Sequence, residues 1–332
     1  MIKSIDLIEN YARQKAYDCH RFESSGAGNK LGFMTVSSPR TDRGITFSLN
    51  NLTLPSDSRV VRTLFNHKSL SYDFAETHGT RVLDTVALRV GADDISAALE
   101  LLKRRKQVIV KPDDGARGEG FVANITNEKT LREALEYARK YVGASRRVLV
   151  QEQFFGDEIR LISIDGEVKS VLHSMRPFVV GDGERAVSEL IAERNNERIM
   201  INERVMIPYV FLDETIIDAD ILNSQEVLPN GEKFFLNHST ATKNGALIVD
   251  IFERIDSSYI EIAQNILGKF GRGMICLDLF VYDPTSPAND DNYAMVEMNE
   301  GMSLPMCYRC VDGNHFDIMK EYVEPLIDSA LL

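Results

Sequence analysis

Apolar residues recur at helical spacing in six stretches of the chain. At the N-terminus Ile5, Ile8 and Ala12, with charged residues between them, predict a surface helix. A second helical stretch runs over 68–79 and is stopped by Gly79, and a third over 94–106 puts Ile95, Ala98, Leu99 and Leu102 on one face. Further helices are expected at 128–142, through Leu131, Leu135, Ala138 and Tyr141, and at 186–199 and 257–270.

Between the helices lie β-branched or wholly apolar runs of strand length. QVIVKP, ended by Pro112, is followed by the turn-like DDGARGEG and by FVANI, an order that predicts a hairpin with a glycine tip. VLVQEQF reads as a buried strand, and EIRLISIDGEVKSVLHSM as a hairpin around Asp165-Gly166. Late in the chain MICLDLFVYD and YAMVEMN are separated by the loop TSPANDDN. Up to about Asn66, Gly26, Gly28, Gly32, Pro39, Asp42, Gly44 and Pro55 make turn chemistry the dominant signal. No internal repeat and no low-complexity tract interrupts the order.

Composition narrows the class. With 332 residues, 44% hydrophobic and 27% charged, the chain is an ordinary globular protein long enough for two or three subdomains. A net charge of -12 gives no global support to nucleic-acid binding, and the short cluster Lys103-Arg104-Arg105-Lys106 reads as a solvated helix end. The N-terminal pattern is not secretory and no apolar run reaches the roughly 18 residues that span a membrane, so a cytoplasmic protein without membrane partners is expected. Four cysteines, Cys19, Cys276, Cys307 and Cys310, are too few and scattered for a disulfide scaffold. The Cys307/Cys310 pair lacks the further ligands a zinc site needs and is expected to be reduced.

Two constellations carry chemistry. In VIVKPDDGARGEGF, Gly115, Gly118 and Gly120 let a hairpin tip approach an anion with its backbone N–H groups, while Lys111 supplies a fixed positive charge. Alone, this is equally a structural hairpin; its spacing is neither a Walker A loop nor a dinucleotide fingerprint, and it leads into a strand. The second is Asp278 on MICLDLFVYD with Glu297 and Asn299 on VEMNEG. Positions 297 and 299 share a face of their strand, and if the strand carrying Asp278 is an antiparallel neighbour, the three oxygens converge. Two carboxylates and an amide carbonyl suit Mg²⁺, which takes its remaining ligands from water and phosphate; pairing of the carboxylates with a nearby arginine is the competing reading.

In this order, with VLVQEQF and GDEIR between them, these segments resemble the ATP-grasp superfamily of ligases from about Asn66 onward. The phrase RPFVVGDGERAVSELIAERN is similar to a segment of cyanophycin synthetase and of fused glutathione synthetases. The resemblance implies an α+β fold: a small N-terminal region (1–65), and two α/β subdomains (66–154, the lid, and 155–332) that grip the nucleotide. It implies Lys68 and Lys111 as phosphate-binding lysines, the loop 115–120 with Arg117 as a mobile cover, and Gln151, Glu152 and Phe154 as the adenine hinge. Glu158 would bind the ribose hydroxyls, and Asp278, Glu297 and Asn299 would hold Mg²⁺ or Mn²⁺. Arg176 would lie near the transferred phosphate and Lys243 near the substrate.

The chain departs from that pattern at Gln151, where glutamate is usual; at STATKNGA, in place of an Asn-Ser-Thr-Gly-Gly run; at Cys276, where relatives carry arginine; and at EGMSLPMCYRC. Three of the four border the substrate, so nucleotide binding is the better supported half. The implied activity is ATP-dependent joining of a carboxylate to an amine, through an acyl phosphate, on amino-acid or peptide substrates. A homodimer is frequent among such enzymes. A small-molecule kinase with the same nucleotide machinery is the alternative, and a non-catalytic nucleotide-binding relative is disfavoured by the complete ligand set.

Overall fold

A computed structural model describes residues 3–23, 32–41, 43–48, 58–91, 94–115, 118–271, 273–313 and 316–332. The expectations resting on Gly26, Gly28, Asp42, Pro55 and Arg117 lie outside these residues.

The amphipathic helix α1 (Ser4–Gln14) forms as its pattern predicts, burying Ile5, Ile8 and Ala12. The chain beyond it differs from the turn-rich region expected: β1 (Asp18–Glu23), β2 (Gly32–Ser37) and β3 (Gly44–Ser48) make an antiparallel sheet. Its strands alternate cleanly. Met34, Val36, Ile45 and Phe47 are buried, while Thr35 and Thr46 pair through their hydroxyls at 2.9 Å on the other face. The strands are short and lie among glycine and proline punctuation, which hid them in the sequence. This core continues into the C-terminus, where the hydroxyls of Tyr11 and Tyr17 donate to Asp328.

Helices α2 (Arg59–Phe65) and α3 (Lys68–Thr77) come next, followed by β4 (Thr85–Arg89), α4 (Ser96–Arg105), β5 (Val108–Pro112), β6 (Val122–Ile125), α5 (Glu128–Arg139) and β7 (Arg147–Glu152). The four strands form an antiparallel sheet in the order β4-β7-β5-β6, with β5 and β6 making the expected glycine-tipped hairpin. Val108, Val110, Val148 and Val150 face α4 and α5 and share a core with Leu101, Leu102, Leu131 and Leu135. Alternation turns Ile109, Lys111, Leu149 and Gln151 to the opposite face.

A five-stranded sheet, β12-β9-β8-β13-β14, is built from β8 (Asp157–Ile164), β9 (Glu167–Met175), β12 (Leu247–Asp250), β13 (Met274–Val281) and β14 (Tyr293–Glu300). Between β9 and β12 runs a long excursion carrying β10 (Phe178–Val180), α6 (Val187–Asn202), α7 (Ala219–Leu222) and β11 (Lys233–Phe235), with its own core around Val187, Leu190, Leu212 and Leu236. One face of the five-stranded sheet packs Ile159, Leu161, Val171, Leu277 and Leu279 against α8 (Ser257–Leu267). Helices α2 and α3 join this same core through Val61, Phe65, Tyr72 and Ala75. A 3-10 turn (Leu304–Arg309) and α9 (Glu324–Leu331) close the chain.

The pairing of β13 with β14 contains a bulge: Asp278 lies opposite Glu297 and Leu279 opposite Met295, so Val296 is an extra residue. It changes which side chains share a face. Leu279 and Met295 enter the apolar core, whereas Asp278 and Glu297 look the other way. All four cysteines are free, and Cys276, Cys307 and Cys310 are buried. Among the described residues no helix is long and apolar enough to cross a membrane.

Candidate active site

Lys68 begins α3 and Lys111 sits near the end of β5, and one residue fixes them relative to each other. Asp113, 1% exposed, accepts from the backbone N–H of Ser69 at 2.8 Å and from its hydroxyl at 3.0 Å, while its own carbonyl accepts from the Lys68 N–H at 3.1 Å. The start of the helix is thereby tied to the end of the strand. The Lys111 ammonium donates to the Tyr72 hydroxyl at 2.8 Å, and that hydroxyl donates to the carbonyl of the bulged Val296 at 2.8 Å. Tyr72 is one helical turn beyond Lys68, and no motif singled it out in the sequence.

Burial pushes the Lys111 ammonium down to about 8, against the pull of Glu297 and Asp113. Lys68 is also lowered, first by desolvation; Glu297 opposes the shift and Lys111 adds to it. Two desolvated cations facing one side are poised to accept anionic ligand oxygens. The glycine tip folds back over Pro112. A Cβ on Gly120, whose φ is +71°, would stand 2.8 Å from Pro112 Cγ, and the Gly115 carbonyl accepts from Lys68 Nζ at 2.6 Å.

Across from the lysines, Asp278, Glu297 and Asn299 converge as the register requires. The Asn299 amide donates to Asp278 Oδ2 and to Glu297 Oε1, each at 3.1 Å, and Lys68 Nζ lies 4.0 Å from Glu297. The set fits a hard divalent cation: two carboxylates share one amide donor, and a cation between them would draw the amide oxygen round instead. No group of three or more His, Cys, Asp or Glu side chains among the described residues offers a metal site independent of an amide.

Arginine pairing, the competing reading for these carboxylates, is also present. Arg160 on β8 holds both oxygens of Asp278 at 2.6 Å, and that carboxylate keeps the guanidinium firmly charged. A carboxylate has lone pairs for both partners, so the ion pair and the cation are compatible. Arg160 escaped the sequence reading, although it stands two residues after Glu158 on the same face of a strand.

The hinge residues divide. Gln151, 1% exposed, donates to Thr85 Oγ1 at 2.7 Å on the lysine side of its sheet. Glu152 points to the other face, where it pairs with Arg105 at 3.3 Å while its N–H donates to the Asp84 carbonyl. Phe154 stacks on Tyr282 with centroids 4.4 Å apart. Glu158 accepts from Thr240 Oγ1 at 3.1 Å, and burial, then Asp278, push its carboxyl up to about 7.

Glu158 and Arg160 line a cleft of about 540 Å³ together with Leu172, Ser174, Ile248, Met306 and the turn Thr240–Lys243. Lys243 therefore reaches the cleft. Arg176 does not join the lysine and carboxylate group: its Nε donates to Asp157 Oδ1 at 2.6 Å and its guanidinium stacks 4.0 Å from the Phe235 ring centre. It follows the end of β9, where Asp157 is the nearest acceptor. Ser174, two residues earlier, lines the cleft instead.

No protein-family model matches the chain. It is 27% identical over 223 residues to the glutathione biosynthesis bifunctional protein GshAB of Streptococcus thermophilus, covering 64% of this chain and 29% of that protein. To the cyanophycin synthetase of Trichormus variabilis it is 26% identical over 219 residues, covering 64% and 24% respectively. The chain thus spans less than a third of the length of these curated relatives. The solved structure of a bifunctional glutathione synthetase from Pasteurella multocida superposes with a TM-score of 0.55 at 18% identity, over 90% of this chain and 41% of that one. These relatives are of the two kinds that the sequence resemblance named, and the α+β architecture is the ATP-grasp fold.

Proposed function

We propose that this ATP-grasp chain is an ATP-dependent ligase joining a carboxylate to an amine through an acyl phosphate, on amino-acid or peptide substrates. The observation that carries it is the convergence of Lys68 and Lys111 on one side with Asp278, Glu297 and Asn299 on the other, linked by the Lys111–Tyr72–Val296 chain. In this reading the four-stranded sheet within 66–154 is the lid over the five-stranded sheet of 155–332. The reaction is placed in the cytoplasm, in keeping with four free thiols.

Lys68 and Lys111 bind the β- and γ-phosphates, and the glycine tip, tethered through Gly115, covers them and excludes water. A divalent cation, Mg²⁺ or Mn²⁺, held by Asp278, Glu297 and Asn299 would neutralise charge on the transferring phosphoryl group. The substrate carboxylate oxygen forms a bond to the γ-phosphorus as ADP leaves. The amine then attacks the acyl carbon, phosphate departs, and one proton is released. Arg160, fixed by Asp278, stands at the edge of the cleft where the acyl phosphate would lie. Phe154 and the backbone of 151–154 are assigned to adenine, and Glu158 to the ribose.

An assay of ADP release with hydroxylamine present tests the class. A hydroxamate is expected; ADP release with a stable phosphoester and no hydroxamate would select a kinase instead. The Lys111 proton gives a second test. ATP binds the ammonium form, and the free site loses its proton as pH rises through about 8. Nucleotide affinity should therefore weaken about tenfold between pH 7 and pH 9, measured by titration with a fluorescent ATP analogue. Affinity that stays flat across that interval would remove Lys111 from the phosphate site.

A further inference from the structure

Two arginines beside the cleft are buried without a carboxylate. Arg198 is 3% exposed and Arg309 7%, and neither forms an ion pair among the described residues. Arg198 donates to the carbonyls of Val210 at 3.2 Å and Gly245 at 2.6 Å. Arg309 donates to Thr242 Oγ1 at 2.8 Å and the Pro208 carbonyl at 3.0 Å, and stacks on Tyr209. The Nε of each has no partner among the described residues. Burial lowers both, Arg198 to about 10, and a guanidinium keeps its proton in proteins. Desolvated charge of one sign is expensive to hold, and here two such groups brace the same turn.

That turn, closed by Gly245 at φ +94°, forms one wall of the cleft. Its two hydroxyls are in different states. Thr240 gives its proton to Glu158. Thr242 accepts from Arg309, and its own hydrogen has no acceptor among the described residues. Beside it Lys243 is exposed and forms no ion pair among them. In a protein of net charge -12, this wall presents an ammonium and a polarised O–H donor backed by two buried guanidinium groups.

We propose that the turn 240–245 is a subsite for a second carboxylate of the acid substrate, bound by Lys243 and Thr242, with Arg309 and Arg198 as positioning residues behind them. The proposal rests on the ligase reading. The reacting carboxylate lies by Arg160 on β8, and the turn lines the same cleft, with Thr240 reaching Glu158 at 3.1 Å. An acidic amino acid or a short acidic peptide presents two carboxylates to this one cleft. A monocarboxylic substrate would leave the wall unmatched.

The test compares glutamate and glutamylglycine with their mono-amides, by hydroxamate formation with ATP and by calorimetric titration without it. The wild-type protein should favour the dicarboxylates by about tenfold or more in kcat/KM. Thr242→Val and Lys243→Met should each bring that ratio toward one, mainly through KM. Arg309→Met should do the same and Arg309→Lys recover part of the preference, an outcome that a purely structural arginine would not give. Equal use of dicarboxylate and mono-amide by the wild type, or a preference surviving in both turn variants, overturns the subsite. If no acid yields hydroxamate the ligase reading fails; the titration then decides the subsite, supported by dicarboxylate binding lost in Thr242→Val and overturned by its absence or persistence.

Discussion

Glu297→Gln is expected to lower ATP-dependent turnover by about a thousandfold while leaving the protein folded. The size reflects what the carboxylate does. Of the three proposed ligands it is the one paired with the lysine side, 4.0 Å from Lys68 Nζ, and it restrains the downward shift of Lys68 and Lys111 alike. Glutamine keeps the shape and the hydrogen bond to Asn299 but removes the charge that would hold a cation against phosphate oxygens. The cost falls on the step in which charge develops on the transferring group, so kcat should fall more than affinity for the nucleotide. ADP release at saturating ATP and divalent cation, with circular dichroism as the folding control, provides the comparison. A variant turning over at near wild-type rates would end the metal assignment.

Asp278→Asn is expected to act on stability as well as on rate. Arg160 donates two bonds of 2.6 Å to this carboxylate, whose side chain is 2% exposed. Breaking a buried pair leaves the surviving charge uncompensated, a loss of about 3–5 kcal/mol. The Arg160 side chain is 25% exposed, so water reaches the stranded guanidinium and the loss should sit near the lower bound, about 3 kcal/mol. Denaturant melts of Asp278→Asn and of the double variant Arg160→Leu/Asp278→Leu separate the pair from its desolvation: the double variant should recover much of the loss. A single variant within about 1 kcal/mol of wild type would mean that the pair contributes little.

The glycine-tipped hairpin and the two late strands were legible in the sequence, because each is a local pattern punctuated by Pro112, Gly118 and Gly120 or by the loop TSPANDDN, whereas Lys68 was named only through the family resemblance. Convergence of Asp278 with Glu297 and Asn299 was legible only as a condition on strand pairing, and the register satisfies it. Partners set by tertiary proximity were not legible. The family resemblance put Arg176 near the transferred phosphate, whereas in the structure its Nε donates to Asp157. Arg160, Tyr72 and Asp113 belong to the site through contacts 118, 39 and 44 residues apart in the chain, which no spacing rule reports. The three-stranded N-terminal sheet was missed for a simpler reason: GFMTVS and GITFS are too short for their alternation to outweigh the turn residues around them.

The extra residue at Val296 makes β14 a segment in which number matters more than identity. Many side chains could stand there, since its carbonyl and not its side chain receives Tyr72. Deleting the position would leave Met295 in the α8 core and Glu297 and Asn299 facing away by ordinary alternation, but it would take with it the carbonyl that anchors the Lys111–Tyr72 chain. The side chain at 296 can therefore drift, whereas loss of the residue would cut the link between Tyr72 and the strand that carries Glu297 and Asn299, so the coding sequence is held in length there more tightly than in composition.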